Sequence, residues 1–272
     1  MPSVTACVDT AQTRVRMNGP AAAPRLTGQA WPRGASARLG RVTRASPSPL
    51  IAGSFVTIEG PDGAGKTTQA ERLRDHLAAR GIPVLLTREP GGTWLGERLR
   101  EVLLARTSTA AAPTDPLTDA LLFNAARRQI VGEVIRPALA AGVTVICARF
   151  ADSTLAYQGY GAGVPLDRLR TLADVATDGL TPDLTILLDL PVDAGLARKG
   201  PGDVTRFEAE FDLDFHDRVR DGFLAIARAE PRRVAIVDAT QGMDVVAAAI
   251  ASVADDRLAI ENDPGTARVR SQ

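Results

Sequence analysis

Cysteine is nearly absent from the 272-residue chain. Cys7 and Cys147 stand far apart with no metal-type spacing, so neither a disulfide framework nor a zinc site is indicated. A reducing, cytoplasmic setting is the expectation. No sign of charge is in excess either: Lys plus Arg and Asp plus Glu number 32 each, which removes the usual electrostatic footprint of a general nucleic-acid binder. No apolar run approaches the roughly 18–20 residues that a membrane helix needs, since even Ala138 to Ala148 is interrupted by Gly142 and Thr144. A soluble protein with no membrane partner follows. Lysine is the scarcest charged residue, with only Lys66 and Lys199. We attribute the arginine bias to a GC-rich genome, and the position of each lysine then carries information. No fixed-period repeat is visible.

With 45% hydrophobic and 24% charged residues, the chain has enough for one well-buried core. Residues 1–52 stand apart. They hold seven arginines, six prolines and a single acid, Asp9, without helical or strand periodicity, and read as a disordered Arg/Pro-rich extension. Its +6 leaves −6 for the other 220 residues, so the neutral balance conceals a mildly acidic domain. A translation start set too far upstream, a dispensable tail and a targeting segment are its three readings. The domain is expected over 53–260, followed by a flexible tail, 261–272. Within it, short β-branched runs alternate with helical segments, the pattern of a parallel α/β sheet. Five strands are expected at Phe55–Ile58, Val84–Leu86, Val143–Cys147, Leu184–Leu188 and Val234–Val237. Helices are expected at Thr67–Arg80, Trp94–Leu104, Leu117–Ala140, Leu166–Ala176, Ala194–Arg198, Glu208–Ala229 and Asp244–Val253. The stretch Thr107 to Asp115 reads as a surface loop.

Directly after the first strand, FVTIE, comes GPDGAGKT, which fits G-x-x-x-x-G-K-[ST] with the strand before and helix after that the motif requires. Gly60, Pro61, Asp62, Gly63, Ala64, Gly65, Lys66 and Thr67 are therefore expected to bind a nucleoside triphosphate. The glycines let backbone N–H groups curl around the phosphates, and the helix start adds its positive dipole end. Lys66 reaches the outer phosphates, and the Thr67 hydroxyl holds a magnesium ion. No N-K-x-D motif is present to read a guanine base. TREPGGT follows the second strand and ARFADSTLAYQG the third, both where ligands bind in open α/β sheets. Arg88 and Arg149 stand at these strand ends, where guanidinium groups can clamp a monophosphate.

Taken in order, GPDGAGKTTQ, TREPGGT, LLFNAARRQ, RFADSTLAYQG, PDLTILLDLP and RFEAE make the chain resemble the bacterial thymidylate kinases from Ser54 to about Val253. The resemblance implies a P-loop nucleoside monophosphate kinase fold, a five-stranded parallel sheet with helices on both faces and a mobile lid. It also implies that ATP, with Mg2+, phosphorylates dTMP to dTDP for dTTP synthesis in a homodimer packed through helices. By the same resemblance Arg88 and Arg149 hold the dTMP phosphate, Phe123 and Arg127 receive the thymine, and Tyr157 crowds the sugar's 2′ position. Gln158 approaches the nucleotide, and Asp62 contacts the 3′-hydroxyl. The four-residue spacing of Phe123 and Arg127 supports their pairing, since it puts a stacking ring and a donor on one helical face. The lid would be Arg198 to Glu208. Some members carry a catalytic arginine in the phosphate loop. Here that region reads Asp62-Gly63-Ala64, so the lid must supply it: Arg206 first, then Arg198, with Lys66 and Arg149 completing the catalytic set.

The chain departs from the family at the end of the third strand, where Asp-Arg is usual and Ala148-Arg149 stands instead. Thr205 is a smaller departure, replacing a usual acid. An aspartate at 148 would order magnesium or its waters, and Asp189, as a metal ligand, or Glu89 is expected to replace it in part. Two further readings stay open: a catalytically impaired nucleotide-binding homologue, and a kinase for another nucleoside monophosphate.

Overall fold

A computed structural model describes residues 53–105, 114–200 and 205–258. The readings of the extension (1–52) and the tail (261–272) lie outside the described residues, as do 107–113 of the polar loop and 201–204 of the expected lid.

Five strands, β1 (Phe55–Glu59), β2 (Val84–Arg88), β3 (Thr144–Ala148), β4 (Leu184–Asp189) and β5 (Val234–Asp238), form one sheet in the order β2-β3-β1-β4-β5. Every pairing is parallel. All five residues of β1 and of β3 are buried, as expected of central strands covered on both faces. One face is closed by α1 (Lys66–Ala79) and, beyond α2 (Trp94–Leu104) to α9, by the last helix α10 (Met243–Arg257). Leu73 and Leu77 of α1 are buried there against Val56, Ile58, Ile146 and Ala148, each worth about 1.5–3 kcal/mol of transfer free energy. The other face carries α3 (Pro116–Ile130), which continues through a π-helical turn, Val131–Ile135, into α4 (Arg136–Ala140). It also carries α9 (Leu213–Ala229), whose Phe215, Val219 and Phe223 pack on Leu187 and Val234.

After β3 the chain forms α5 (Ala151–Thr154), a second π-helical segment (Leu155–Gly161) and α6 (Leu166–Thr177). β4 leads to α7 (Val192–Ala197), and α8 (Arg206–Glu210) precedes α9. Neighbouring strands β1 and β3 thus send their following segments to opposite faces, which opens a crevice at their carboxyl ends.

Three details differ from the sequence reading. β2 runs on through Arg88, paired in register with Ala148. The stretch after Arg149 is helical. The single helix expected over Glu208–Ala229 breaks in two, because the Asp212 side chain accepts from Phe215 N at 2.8 Å and caps a new start.

Candidate functional site

The phosphate loop is built by backbone geometry that side chains would obstruct. Gly60, Gly63 and Gly65 have φ of +142°, +76° and +83°. A Cβ on Gly63 would lie 1.8 Å from the carbonyl oxygen of Gly195, so the loop rests backbone to backbone on α7. Helix α1 starts at Lys66 from Gly65, with no side chain capping its first N–H groups. Lys66 folds back over the loop and donates Nζ to Gly60 O at 3.0 Å and Pro61 O at 2.6 Å. Burial, reinforced by the nearby Arg149 charge, lowers its pKa to about 7.

Against the loop, and sharing Asp62 with it, stands a compact triangle. Arg149, immediately beyond β3, adopts a left-handed backbone with φ +69°, a strain typical of functional positions. Its Nη2 donates to Asp62 Oδ1 and to Tyr157 Oη (3.3 Å), and its Nη1 donates to Ser153 Oγ (3.2 Å). Tyr157 donates Oη to Asp62 Oδ2 at 2.7 Å and lies under the guanidinium, 5.1 Å from ring centre to Cζ. Burial alone would raise the Asp62 pKa, but Arg149 and Lys66 outweigh it and hold it at about 2. Asp62, Arg149 and Tyr157, which the sequence reading assigned to one nucleotide, are thus brought together.

The triangle rests on a residue that reading passed over. Glu59, the last residue of β1, is fully buried and accepts from Phe150 N at 2.7 Å, Ser153 N at 3.3 Å and Ser153 Oγ at 2.6 Å. It anchors the segment that carries Arg149. Burial first, and Asp152 second, raise its pKa to about 7. A carboxylate ending an otherwise apolar strand was the available signal.

The far end of the crevice is built from α3. Phe123 and Arg127 both line the crevice. Arg127 is 1% exposed and tightly held: Nε donates to Glu89 Oε2, Nη1 to Asn124 Oδ1, and Nη2 to Phe150 O and Thr154 Oγ1. Four of its five N–H donors are engaged in these bonds, which fixes the direction of the fifth. Glu89 Oε1 is buried with no hydrogen-bond partner, and burial, opposed by Arg127, raises the Glu89 pKa to about 7. Gln158, buried on the π-helical segment, lines the same region.

Three charged side chains expected at the site, those of Arg88, Arg206 and Asp189, do not line the crevice, and each has a local reason. Arg88 points out to Glu97 (3.1 and 3.2 Å) and is half exposed. Arg100 of α2, which the sequence reading missed, lines the crevice in its place, with Nη1 donating to Pro90 O at 3.0 Å. It lies on the helix after TREPGGT, about two turns beyond the motif, and no local pattern marked it. Arg206 is 3% exposed and donates Nη2 to Asp119 Oδ2 of α3 at 2.8 Å. The lid residues that do line the crevice are Arg198, Lys199 and Thr205. Arg198 donates Nη1 to Ala239 O at 2.9 Å, beside Gln241, Gly242 and Met243 at the start of α10, which also line it.

Asp189 makes a two-pronged ion pair with Arg220 of α9 at 2.7 and 3.0 Å. Strand alternation explains why it cannot stand in for the acid missing at 148. Ala148 packs with Ile146 and Ala64 on the α1 face, whereas Asp189 shares the opposite face with Leu187. Glu89, bonded to Arg127 of α3, also lies on that opposite face.

The crevice holds about 820 Å³ and runs from the α10 start, past the phosphate loop and Arg149, to Phe123 and Arg127. Comparison with known proteins gives the same frame a name. A thymidylate kinase from Deinococcus radiodurans is 51% identical over 208 residues, covering 75% of this chain and 98% of its own. One from Desulfovibrio desulfuricans is 54% identical over 196 residues, 69% of this chain and 88% of that one. The crystal structure of a thymidylate kinase from Ehrlichia chaffeensis superposes with a TM-score of 0.61 at 36% identity, over 75% of this chain and 99% of that one. Residues 58–250 match the family model for thymidylate kinase, so the phosphate loop, the Arg149 triangle and the α3 face all fall inside the match, and the chain belongs to the thymidylate kinase family.

Proposed function

We propose that the protein transfers the γ-phosphoryl group of ATP to the phosphate of dTMP, giving ADP and dTDP. One observation carries this reading: a triphosphate loop and a second, cation-rich pocket with an aromatic end share a single crevice, with Arg149 between them. The ATP phosphates lie on the loop N–H groups and Lys66. The nucleoside end of ATP lies toward Arg198 and Ala239–Met243. In the other half, Arg149 and Arg100 hold the dTMP phosphate, Phe123 stacks on thymine, and Arg127 donates to its carbonyl edge. Asp62, fixed by Arg149 and Tyr157, accepts the deoxyribose 3′-hydroxyl.

A phosphate oxygen of dTMP attacks the γ-phosphorus as the bond to the β–γ bridging oxygen breaks. The electron pair leaves on ADP, and no covalent enzyme intermediate forms. Lys66, Arg149, Arg198 and Lys199 surround the transferred group with positive charge, the main catalytic lever in such reactions. Among the described residues no group of three or more His, Cys, Asp or Glu side chains could cage a metal. Mg2+ would be held by the Thr67 hydroxyl together with substrate phosphates and water, and would neutralise phosphate charge. Asp189 is left out of this set.

A cytoplasmic homodimer completes the proposal. Leu121 of α3 and Val175 of α6 are 49% and 72% exposed and flank a shallow groove with Ala125 and Leu172. A second copy would cover this helical face, and light scattering on the wild type and Leu121→Glu checks it. The functional test is an ADP-release assay with dTMP, dUMP and UMP. Turnover preferring dTMP, lost in Lys66→Ala with the fold intact, is expected. Equal silence with all three acceptors would overturn the reading.

A further inference from the structure

Aromatic residues of α8, of the link after it and of α9 form a continuous stack. Phe207 and Phe211 are parallel with ring centres 5.7 Å apart, and Phe211 and Phe215 follow at 4.0 Å. The stack ends in the crevice, where Phe207 meets Tyr157 edge-on at 5.6 Å and Phe123 at 6.2 Å. Together with Leu104 of α2, Phe123 and Phe207 make an apolar end of the crevice. Phe207 is the only one of the three delivered from the lid side.

Its neighbour Arg206 explains how it is held. The single bond from Arg206 Nη2 to Asp119 Oδ2 leaves Arg206 Nε and Asp119 Oδ1 buried and without partners. Buried polar atoms without partners are costly, and a guanidinium and a carboxylate normally pair through two parallel bonds. A small advance of α8 toward α3 would make the second bond and satisfy both atoms. Since Asp119 and Phe123 are one helical turn apart on α3, the same advance presses Phe207 toward Phe123.

We propose that Phe207 is a specificity-determining wall of the nucleoside pocket, packing on the apolar edge of the base that carries the thymine methyl, and that the Arg206–Asp119 pair is its positioning latch. The proposal rests on the dTMP kinase reading and adds to it the residue by which the lid side distinguishes dTMP from dUMP. An apolar wall gains free energy only from the nucleotide that has the methyl, and a full methyl-sized pocket gives roughly 10–200-fold discrimination.

The test measures kcat and KM for dTMP, dUMP and ATP, and equilibrium binding of dTMP and dUMP by calorimetry. It uses full-length wild type, Phe207→Ala, Phe207→Leu and Arg206→Lys. With Phe207→Ala we expect KM for dTMP to rise about 10-fold, dUMP to change less than about 3-fold, and KM for ATP to stay put. Phe207→Leu, which keeps apolar bulk and safeguards folding, should recover most of the preference. Arg206→Lys should raise KM for dTMP with kcat at saturation unchanged. Equal losses for dTMP and dUMP, a loss expressed in ATP binding, or a kcat effect from Arg206→Lys alone would overturn the inference. Absence of wild-type turnover with dTMP would instead overturn the parent reading.

Discussion

ATP binding should draw a proton from solvent at mildly alkaline pH, and Lys66 should be where it lands. In the free protein Lys66 has a pKa of about 7, lowered from 10.5 by burial and by Arg149. It is then roughly nine-tenths neutral at pH 8. A triphosphate laid on the loop places several negative charges beside Nζ and favours the ammonium, so the pKa moves back toward its ordinary value. The expected uptake is about 0.9 proton per ATP at pH 8 and about 0.1 at pH 6. Calorimetry in buffers of differing ionisation enthalpy reads this directly, as the slope of observed enthalpy against buffer enthalpy. Lys66→Arg, which keeps a permanent charge, should flatten the slope at pH 8. A stability consequence follows with a fixed sign. Between pH 7 and 10.5 the unfolded chain holds a proton that the folded chain lacks, so stability rises with pH across that window. The full effect is roughly 5 kcal/mol, and Lys66→Met should therefore be the more stable protein at pH 6–7. A wild-type slope near zero at pH 8 would refute the account of Lys66 as a buried, largely neutral amine awaiting phosphate.

Glu59→Ala should lower kcat/KM for dTMP by about 10²-fold by releasing the Arg149 segment, while Glu59→Gln, which keeps an acceptor, should stay within about 5-fold; comparable losses from both would point to charge rather than anchoring. With the Glu59 pKa raised from 4.5 to about 7, the folded chain holds an extra proton in that interval, so its contribution to stability falls as pH rises through it, and Glu59→Gln should unfold later than wild type above pH 7 by chemical denaturation. Ala148→Asp places a carboxylate beneath the phosphate loop, and the expected outcomes are a lower Mg2+ requirement in the ADP assay and a proton uptake at pH 8 cut by at least half, because Lys66 would already be charged. A chain beginning at Gly53 should match the full-length turnover number, since the match to the family model spans residues 58–250.

Periodicity and punctuation carried much of the fold. Apolar runs bounded by Gly81, Gly142 and the 60–67 glycine loop located all five strands to within two residues at each end, and α2 came out with its bounds unchanged. What escaped was decided by tertiary contacts. The segment Ala151–Gly161 is helical with a π turn because Glu59 caps its start and α9 covers it, and neither partner is near it in sequence. The site was legible where backbone geometry dictates residue type, as in Gly60–Thr67, and where a spacing of four fixes a shared helical face, as in Phe123 and Arg127. It was poorly legible for arginines. A guanidinium reaches far enough that sequence position does not decide its partner. Arg88 turned to Glu97, Arg206 to Asp119, and Arg100 entered from a neighbouring helix.

Ala148 illustrates why the sign of strand alternation outweighs proximity in such an argument. Asp189, Glu89 and Glu59 all lie at carboxyl ends of strands beside β3 or one strand away, so distance along the sheet does not separate them as replacements for an acid at 148. Alternation sends all three to the face of α3 and α9, where Arg220, Arg127 and the α5 start already use them. Only Ala148 faces α1 and the loop residue Ala64. None of these three strand-end acids shares the face of Ala148, and the crevice beside the phosphate loop is lined by the cations Lys66, Arg149, Arg198 and Lys199 with Asp62 as their anionic neighbour. Near Lys66, Asp62 and Glu59 oppose the desolvation of its amine, and burial with the Arg149 charge still outweighs them. Loss of the acid at 148 and proton uptake on ATP binding are thus two views of one electrostatic arrangement, which is why a single substitution, Ala148→Asp, should move both.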